Sequence, residues 1–380
     1  MAEMTRAERI MQATRKKQAD KLPFCFVWWH SQVGWAEREC RNRGMGMYWM
    51  RPPYIMKMHG VDVSETQATM PSGQAVIRRT YSTPVGTVYL DEIRGLGNGQ
   101  WHGLRSWNSV VPWQTERLIK EPEDYKVVKY MVENTEYLPD YFPIEQAMDW
   151  LGDDGIVLDD LAPHSPMQML MIDWIGSEGG RFFIHHAKYP DLVEDLYRAV
   201  SKSREPMYEI AAKSPAEITW FGDNIDGVLV NPRLFEKYFM PEYEKMAKAI
   251  HKHGKLMAVH LDGRVDVLKD LIAKTPIDII EALHPPPMGD LAIGEALSLW
   301  KDKVIWVGYP GSVYTLGPEA VKKHALALLR EIIPGDRVVM QMSTENLVSN
   351  ENLLTLTSVL ENLDLPLTKE KIDRIERSLA

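Results

Sequence analysis

Short apolar runs and amphipathic stretches alternate most regularly in the second half of the chain. Glu217-Ile218-Thr219-Trp220-Phe221 has the length and composition of a buried strand and ends in Gly222-Asp223-Asn224. A helix follows, with Asn231 in the N-cap position and Pro232 at the first helical position. Pro241 breaks or kinks it, and a second stretch runs to His253, where Gly254 stops it. The same pattern then predicts strands over 256–260, 277–283, 304–307 and 337–341. Between and after them it predicts helices over 265–273, 289–300, 318–332 and 350–363, with a polar closing helix over 368–380.

Strict alternation of short apolar strands with helices implies parallel pairing through right-handed crossovers. The strands from residue 217 onward make half of a barrel or most of a doubly wound sheet. The first half supplies the rest less regularly, with strands predicted over 24–29 and 155–158. Between them, residues 75–92 alternate like a hairpin around Pro84-Val85-Gly86, an insertion of about 75–115 expected to cover the barrel mouth. The expected architecture is a single (β/α)8 TIM barrel over 23–380, preceded by a helical extension over 1–22. That size suits one such barrel, since the chain has 380 residues.

Composition narrows the function. The net charge is −9 with both signs mixed along the chain, so no basic stripe exists to neutralise phosphates and nucleic acid is not an expected partner. The densest basic run, Arg15-Lys16-Lys17, reads as a solvated helix face. Only Cys25 and Cys40 occur, which excludes a disulfide framework and a cysteine cluster for zinc. The first 22 residues lack an apolar signal core, and no run reaches the ~20 apolar residues of a membrane span, so a cytoplasmic protein is expected. Trp28, Trp29, Trp35, Trp49, Trp101, Trp107 and Trp113 crowd the first third. Such side chains suit a large flat apolar pocket, and they equally suit capping of cores.

In a parallel barrel, residues just past the strand ends line the active site. That rule selects Trp29, His30 and Gln32; His164; Asp223, Asn224 and Asp226; His260 and Asp262; Glu281 and His284; Tyr309; and Gln341, Ser343 and Glu345. Within His260-Leu261-Asp262-Gly263 an imidazole and a carboxylate two residues apart on extended chain face one spot. They could ligate a metal, Asp262 could orient His260 for proton transfer, or the pair could only pin the turn. Glu281 follows Ile279-Ile280, where a carboxylate needs a partner: a metal, another cation or a surface salt bridge. Asp223 and Asn224 could contact substrate or a second histidine, or could simply open the next helix. Trp29, His30, Gln32, His164, Tyr309 and Gln341 are candidate substrate contacts, with structural roles as the alternative for the histidines. Gly95-Leu96-Gly97-Asn98-Gly99 lacks the strand and helix of a phosphate loop, and no nucleophile elbow or His-Glu-x-x-His helix is present.

Several stretches resemble the uroporphyrinogen-decarboxylase-like superfamily. They are Phe221-Gly222-Asp223-Asn224, Asn231-Pro232 with Phe235, Tyr238 and Pro241, then His253-Gly254-Lys255 and His260-x-Asp262-Gly263. Thr83-Pro84-Val85-Gly86-Thr87, Pro166-x-Gln168, Trp174-x-Gly176 and Glu351-Asn352-Leu353 support the likeness, which spans about residues 75 to 360. The resemblance implies a TIM barrel and one of two chemistries. Decarboxylases of the superfamily hold a many-carboxylate porphyrinogen with an arginine-bearing motif after the first strand. Here that strand ends Trp28-Trp29-His30-Ser31-Gln32, without arginine.

The other branch is made of corrinoid-dependent methyltransferases. Its thiol-methylating members use a zinc site of His-x-Cys and a later Cys. This chain keeps the histidine as His260, has Asp262 in place of the first cysteine and no cysteine between Met342 and Glu345. The resemblance therefore implies a harder site, with His260, Glu281 and Glu345 as possible zinc ligands and Asp262 as co-ligand or orienter. Such a site suits methyl donation from a methoxylated, aromatic compound to the cobalt of a separate corrinoid protein, because a departing oxygen needs charge neutralisation. The chain has no Asp-x-His-x-x-Gly signature of its own for cobalamin. A decarboxylase or other lyase, and a catalytically silent ligand-binding barrel, are the competing expectations; a homo-oligomer is also compatible.

Overall fold

The computed structural model describes residues 3–379 apart from Gln32, Pro71, Gln74, 94–112, Pro163 and 343–347. Fourteen strands are present among the described residues: β1 (Phe24–Val27), β2 (Gly46–Arg51), β3 (Tyr54–Met58), β4 (Asp62–Thr69), β5 (Ala75–Thr83), β6 (Gly86–Ile93) and β7 (Trp113–Glu116) in the first part. They continue with β8 (Thr135–Pro139), β9 (Gly155–Ala162), β10 (Ile218–Phe221), β11 (Leu256–His260), β12 (Ile279–Leu283), β13 (Val304–Gly308) and β14 (Val338–Gln341).

Eight of these close into a parallel barrel in the order β1-β14-β13-β12-β11-β10-β9-β2. The chain is thus a (β/α)8 barrel. Because strand side chains alternate, one set of residues packs inside the ring and the other against the helices. Cys25, Val27, Tyr48, Met50, Leu158, Ile218, Ala258, Ile279, Val304, Trp306 and Val339 form the lumen cluster. Phe24, Phe26, Leu161, Phe221, Met257, Val259, Ile280, Ile305 and Met340 belong to the larger cluster under the helices. With both faces buried, the strands read as continuous apolar runs.

The N-terminal helix Arg6–Thr14 starts with a Thr5–Glu8 capping box and adds Ile10 and Ala13 to the lumen cluster. It seals the end away from the strand C-termini. A Cβ on Gly155 would come 2.0 Å from the Met47 carbonyl oxygen, so that approach requires glycine; one on Gly46 would come 2.8 Å from Ile10 Cδ1 and push that side chain aside. Arg15, Lys16 and Lys17 lie exposed beyond this helix.

The predicted hairpin exists, with Thr83 opposite Gly86, but it is half of a larger structure. β4 to β7 make one antiparallel sheet and β3 pairs with β8, so the excursion begins directly after β2. Part of the predicted insertion, residues 94–112, lies outside the described residues. No helix among the described residues is long and apolar enough to cross a membrane.

Candidate active site

The residue that organises the barrel mouth is Glu281, which ends up 2% exposed at the inner face of β12. The Tyr48 hydroxyl donates to its Oε1 at 3.0 Å and the Trp220 indole N–H to its Oε2 at 2.9 Å. The Gln341 amide donates to Oε1 and also to the Tyr48 oxygen, the latter at 2.6 Å. The fourth partner is His260, whose Nδ1 bonds Glu281 Oε2 directly. Its Nε2 lies 3.5 Å from Asp262 Oδ2, and its side chain keeps 21% exposure, so this is the edge that meets the mouth.

Burial alone would depress the His260 pKa, but the charges of Glu281 and Asp262 and their hydrogen bonds outweigh it and raise it well above the ordinary value. Burial would raise the Glu281 carboxyl; the His260 charge and the hydrogen bonds from His260, Gln341 and Trp220 instead hold it low, at about 2. The result is an imidazolium–carboxylate pair in a place where an unpaired charge would be costly.

The backbone is shaped for this pair. Ala282 adopts φ +58°, and the β12–β13 register shifts between Ile280 and Leu283. A non-glycine residue in the left-handed region costs roughly 1–2 kcal/mol, a strain that persists only where the surroundings impose it. Next along the chain, His284 lies against Gly308, where a Cβ would come 2.7 Å from its Nε2. Burial lowers the His284 pKa against the opposing charge of Asp262, and its Nδ1 has no hydrogen-bond partner.

Asp262, His260 and Glu281 therefore converge as the sequence pattern suggested. Glu281 differs from the expected metal ligand: both its oxygens already accept from Tyr48, Trp220, Gln341 and His260. Such a carboxylate suits holding a proton on the imidazole better than entering a metal's coordination shell. Among the described residues no group of three His, Cys, Asp or Glu is arranged to hold a metal ion. Glu345 and Ser343 lie outside the described residues.

Other expected residues are placed differently. Asp223 is fully buried, and its carboxylate accepts from the Ser165 backbone N–H and from the Tyr243 hydroxyl at 2.8 Å. Burial raises its pKa against those bonds. It staples the β9 and β10 ends from beneath. Asn224 Nδ2 lies 3.3 Å from His164 Nε2, while His164 Nδ1 is 2.7 Å from Asp173, making a second polar cluster on the rim. Asp226 ties two loops, accepting from Val228 N–H and from the Arg264 backbone.

Gln341 does not offer its amide to the open mouth; it is spent on Tyr48 and Glu281. Tyr309 is a correction. It is completely buried, its hydroxyl donates to Val321 O in the helix Pro318–Glu331, and its ring packs on Tyr314 and His324. It faces the helix layer and not the lumen. His30 closes the single turn Trp28–His30 after β1, half-buried; Gln32 lies outside the described residues, and of Trp29 only the backbone is described.

Four residues at the C-terminal ends of the strands escaped the sequence pattern. Tyr48 and Trp220 are the inward positions of β2 and β10 that hold Glu281. Asp160, paired in register with Trp220, extends β9 beyond its predicted end. Burial pushes its carboxyl up to about 6 against the opposing charge of Arg51. Arg51 ends β2 with its guanidinium 4.7 Å from the Trp28 ring centroid and 5.0 Å from that of Trp49.

Fold and mouth together define a (β/α)8 barrel with a histidine clamped by a buried carboxylate at the C-terminal ends of its strands. No family model matches the chain, and no characterised protein matches it in sequence. Among solved structures, a methyltransferase from Methanosarcina mazei aligns with a TM-score of 0.54 at 12% identity, covering 94% of this chain and 98% of that chain. At that identity the likeness is one of fold.

Proposed function

We propose that this barrel is a methyltransferase that takes a methyl group from a methoxylated aromatic compound and passes it to the cobalt of a separate corrinoid protein. The observation that carries the reading is His260, held as an imidazolium by buried Glu281 with Nε2 turned to the mouth. The name of the M. mazei structure, a methyltransferase over nearly the whole chain length, adds support.

A corrinoid carried on a docked partner protein would supply the nucleophile for the methyl carbon. As the methyl carbon–oxygen bond breaks, its electron pair stays on the ring oxygen, which must be neutralised. His260 Nε2–H is the proton source at that atom. The oxygen left behind is a phenolate, whose conjugate acid has a pKa of about 10, so it is basic enough to take a proton from a neighbouring acid. Glu281 keeps its charge throughout and fixes the ring through Nδ1. Tyr48, Trp220 and Gln341 fix Glu281, so little reorganisation accompanies the transfer. Asp262 steers the Nε2 edge. The indoles of Trp28 and Trp220, packed against the lumen cluster, offer the flat apolar surfaces an aromatic ether needs.

The test mixes the purified protein with a reduced corrinoid protein and a panel of methoxylated aromatics and follows the cobalt absorption. A donor-dependent change that falls by about 100-fold or more in His260→Ala is expected. If no methoxylated compound changes the spectrum, or His260→Ala works as well, the proposal is refuted.

A further inference from the structure

The β4–β7 sheet has two outer strands, and they are finished differently. β7 is four residues long, and its pairing with β6 shifts register between Asp91 and Glu92. A short, irregular outer strand is a poor template for a further one. β4 has neither protection. It pairs with β5 without a break from Asp62–Ser82 to Thr69–Ala75, and among the described residues no strand lies on its other side. Every residue of β4 is exposed except the half-buried Ala68, so neither face is covered. The run Asp62-Val63-Ser64-Glu65-Thr66-Gln67-Ala68-Thr69 holds no proline, glycine or lysine, the residues that usually spoil such a strand for pairing.

The direction of the backbone groups follows from the neighbouring hairpin. Its two-residue loop Pro84-Val85 closes on the Thr83–Gly86 pair, which in such hairpins exchanges backbone hydrogen bonds. Counting in twos from Thr83, the odd-numbered residues of β5 bond to β6 and the even-numbered ones to β4. Val63, Gln67 and Thr69 therefore aim their N–H and C=O groups away from β5.

We propose that β4 is a dimer contact: two copies of this chain pair antiparallel through it, about a two-fold axis at Thr66. The axis is fixed by elimination. A two-fold normal to a sheet keeps each side chain on its own face, so it passes through a residue and never between two. An axis at Glu65 would set that carboxylate directly opposite its own copy, like charge on like charge. Moved to Thr66, it sets Val63 opposite the partner's Thr69 and Glu65 opposite the partner's Gln67, and threonine meets threonine at the centre. The Glu65 carboxylate meanwhile stays with Arg79 of its own chain, at 2.7 Å. An axis farther along the strand would leave fewer residues paired.

The test uses the full-length protein. Size-exclusion chromatography with light scattering at about 100 µM should give twice the mass of the single chain, as a contact of modest area requires high concentration. Gln67→Pro removes an outward N–H and leaves the β4–β5 bonds in place, so it should give a monomer with unchanged circular dichroism. The register is read by cross-linking. Opposed residues of a non-hydrogen-bonded pair have Cα atoms about 4.5 Å apart, within disulfide reach. Thr66→Cys, oxidised with copper phenanthroline, should therefore yield a covalent dimer. Val63→Cys should not, because the axis puts its two copies about 20 Å apart. Cys25 and Cys40 are fully buried and stay out of the reaction. A single-chain mass at that concentration, a dimer that survives Gln67→Pro, or cross-linking as strong through Val63→Cys as through Thr66→Cys would each overturn the proposal.

Discussion

The His260–Glu281 pair is open to a direct energetic test by Glu281→Gln. The substitution preserves shape but places an amide where the carboxylate now accepts from Tyr48, Trp220, Gln341 and His260. At least one donor is then left facing another, and the imidazolium loses its counter-ion. Breaking a buried pair from one side costs about 3–5 kcal/mol. Here the lower end applies, about 3 kcal/mol, because His260 keeps 21% exposure and Asp262 stays 3.5 Å from Nε2. The sign with pH follows from the two shifts. Glu281 is depressed in the folded state, so its contribution is full above the unfolded value of 4.5 and is lost as pH falls toward about 2. His260 is raised, so its contribution is full below the unfolded value of 6.5 and is lost as pH rises through its folded pKa. Urea unfolding followed by tryptophan fluorescence should therefore show the largest penalty between about pH 4.5 and 6.5, shrinking on the alkaline side. Adding His260→Gln to the variant should recover part of the loss, since no buried cation remains to be compensated. A penalty under about 1 kcal/mol at pH 6, or one that is the same across the alkaline titration, would refute the ion pair.

Other substitutions probe the supports. Asp223→Ala strands the Ser165 N–H and the Tyr243 hydroxyl, and should cost about 2–4 kcal/mol in urea unfolding. Asp160→Asn should stabilise the protein by about 1–2 kcal/mol at pH 8; the raised carboxyl favours the folded state only when protonated, so the gain should vanish below pH 4. Ala282→Gly relieves the φ +58° strain and should raise stability by up to about 1 kcal/mol, read as a higher urea midpoint with an unchanged slope. Lys255, buried with its ammonium 2.6 Å from Asp159, makes Asp159→Ala a loss of about 3–5 kcal/mol that the joint change with Lys255→Met should largely reverse.

The architecture was readable wherever both faces of a strand carry aliphatic residues. β11 to β14 follow that rule, and their predicted positions agree with the observed ones to within two residues. β2 was missed because Gly46-Met47-Tyr48-Trp49-Met50-Arg51 has no aliphatic run, although Tyr48 and Met50 fill the lumen. β9 was cut short at residue 158 because two consecutive aspartates look like a turn. The fold sends them apart: Asp159 goes outward to Lys255, Ser214 and Thr219, while Asp160 follows Leu158 on the inner set. Local pattern could place His260 beside Asp262, since two residues of extended chain suffice. It could not show that Glu281 faces inward, since its partners come from β2, β10 and β14. Tyr309 failed for the opposite reason. It does follow a strand end, but its backbone N–H is tied to Gln341 O and its side chain turns to the helices.

Glu281 is bonded across 233 residues to Tyr48, across 61 to Trp220 and across 60 to Gln341. These tethers span the circumference like spokes meeting at a hub, so the hub cannot be assembled from neighbouring strands alone. A fragment carrying β10 to β14 would own the acid, its carboxylate and two of the spokes, yet would lack the phenol. The full set of hydrogen bonds on Glu281 is accordingly withheld until the ring is closed by β1 and β2, and a partly folded chain holds its His260–Glu281 pair without the Tyr48 support.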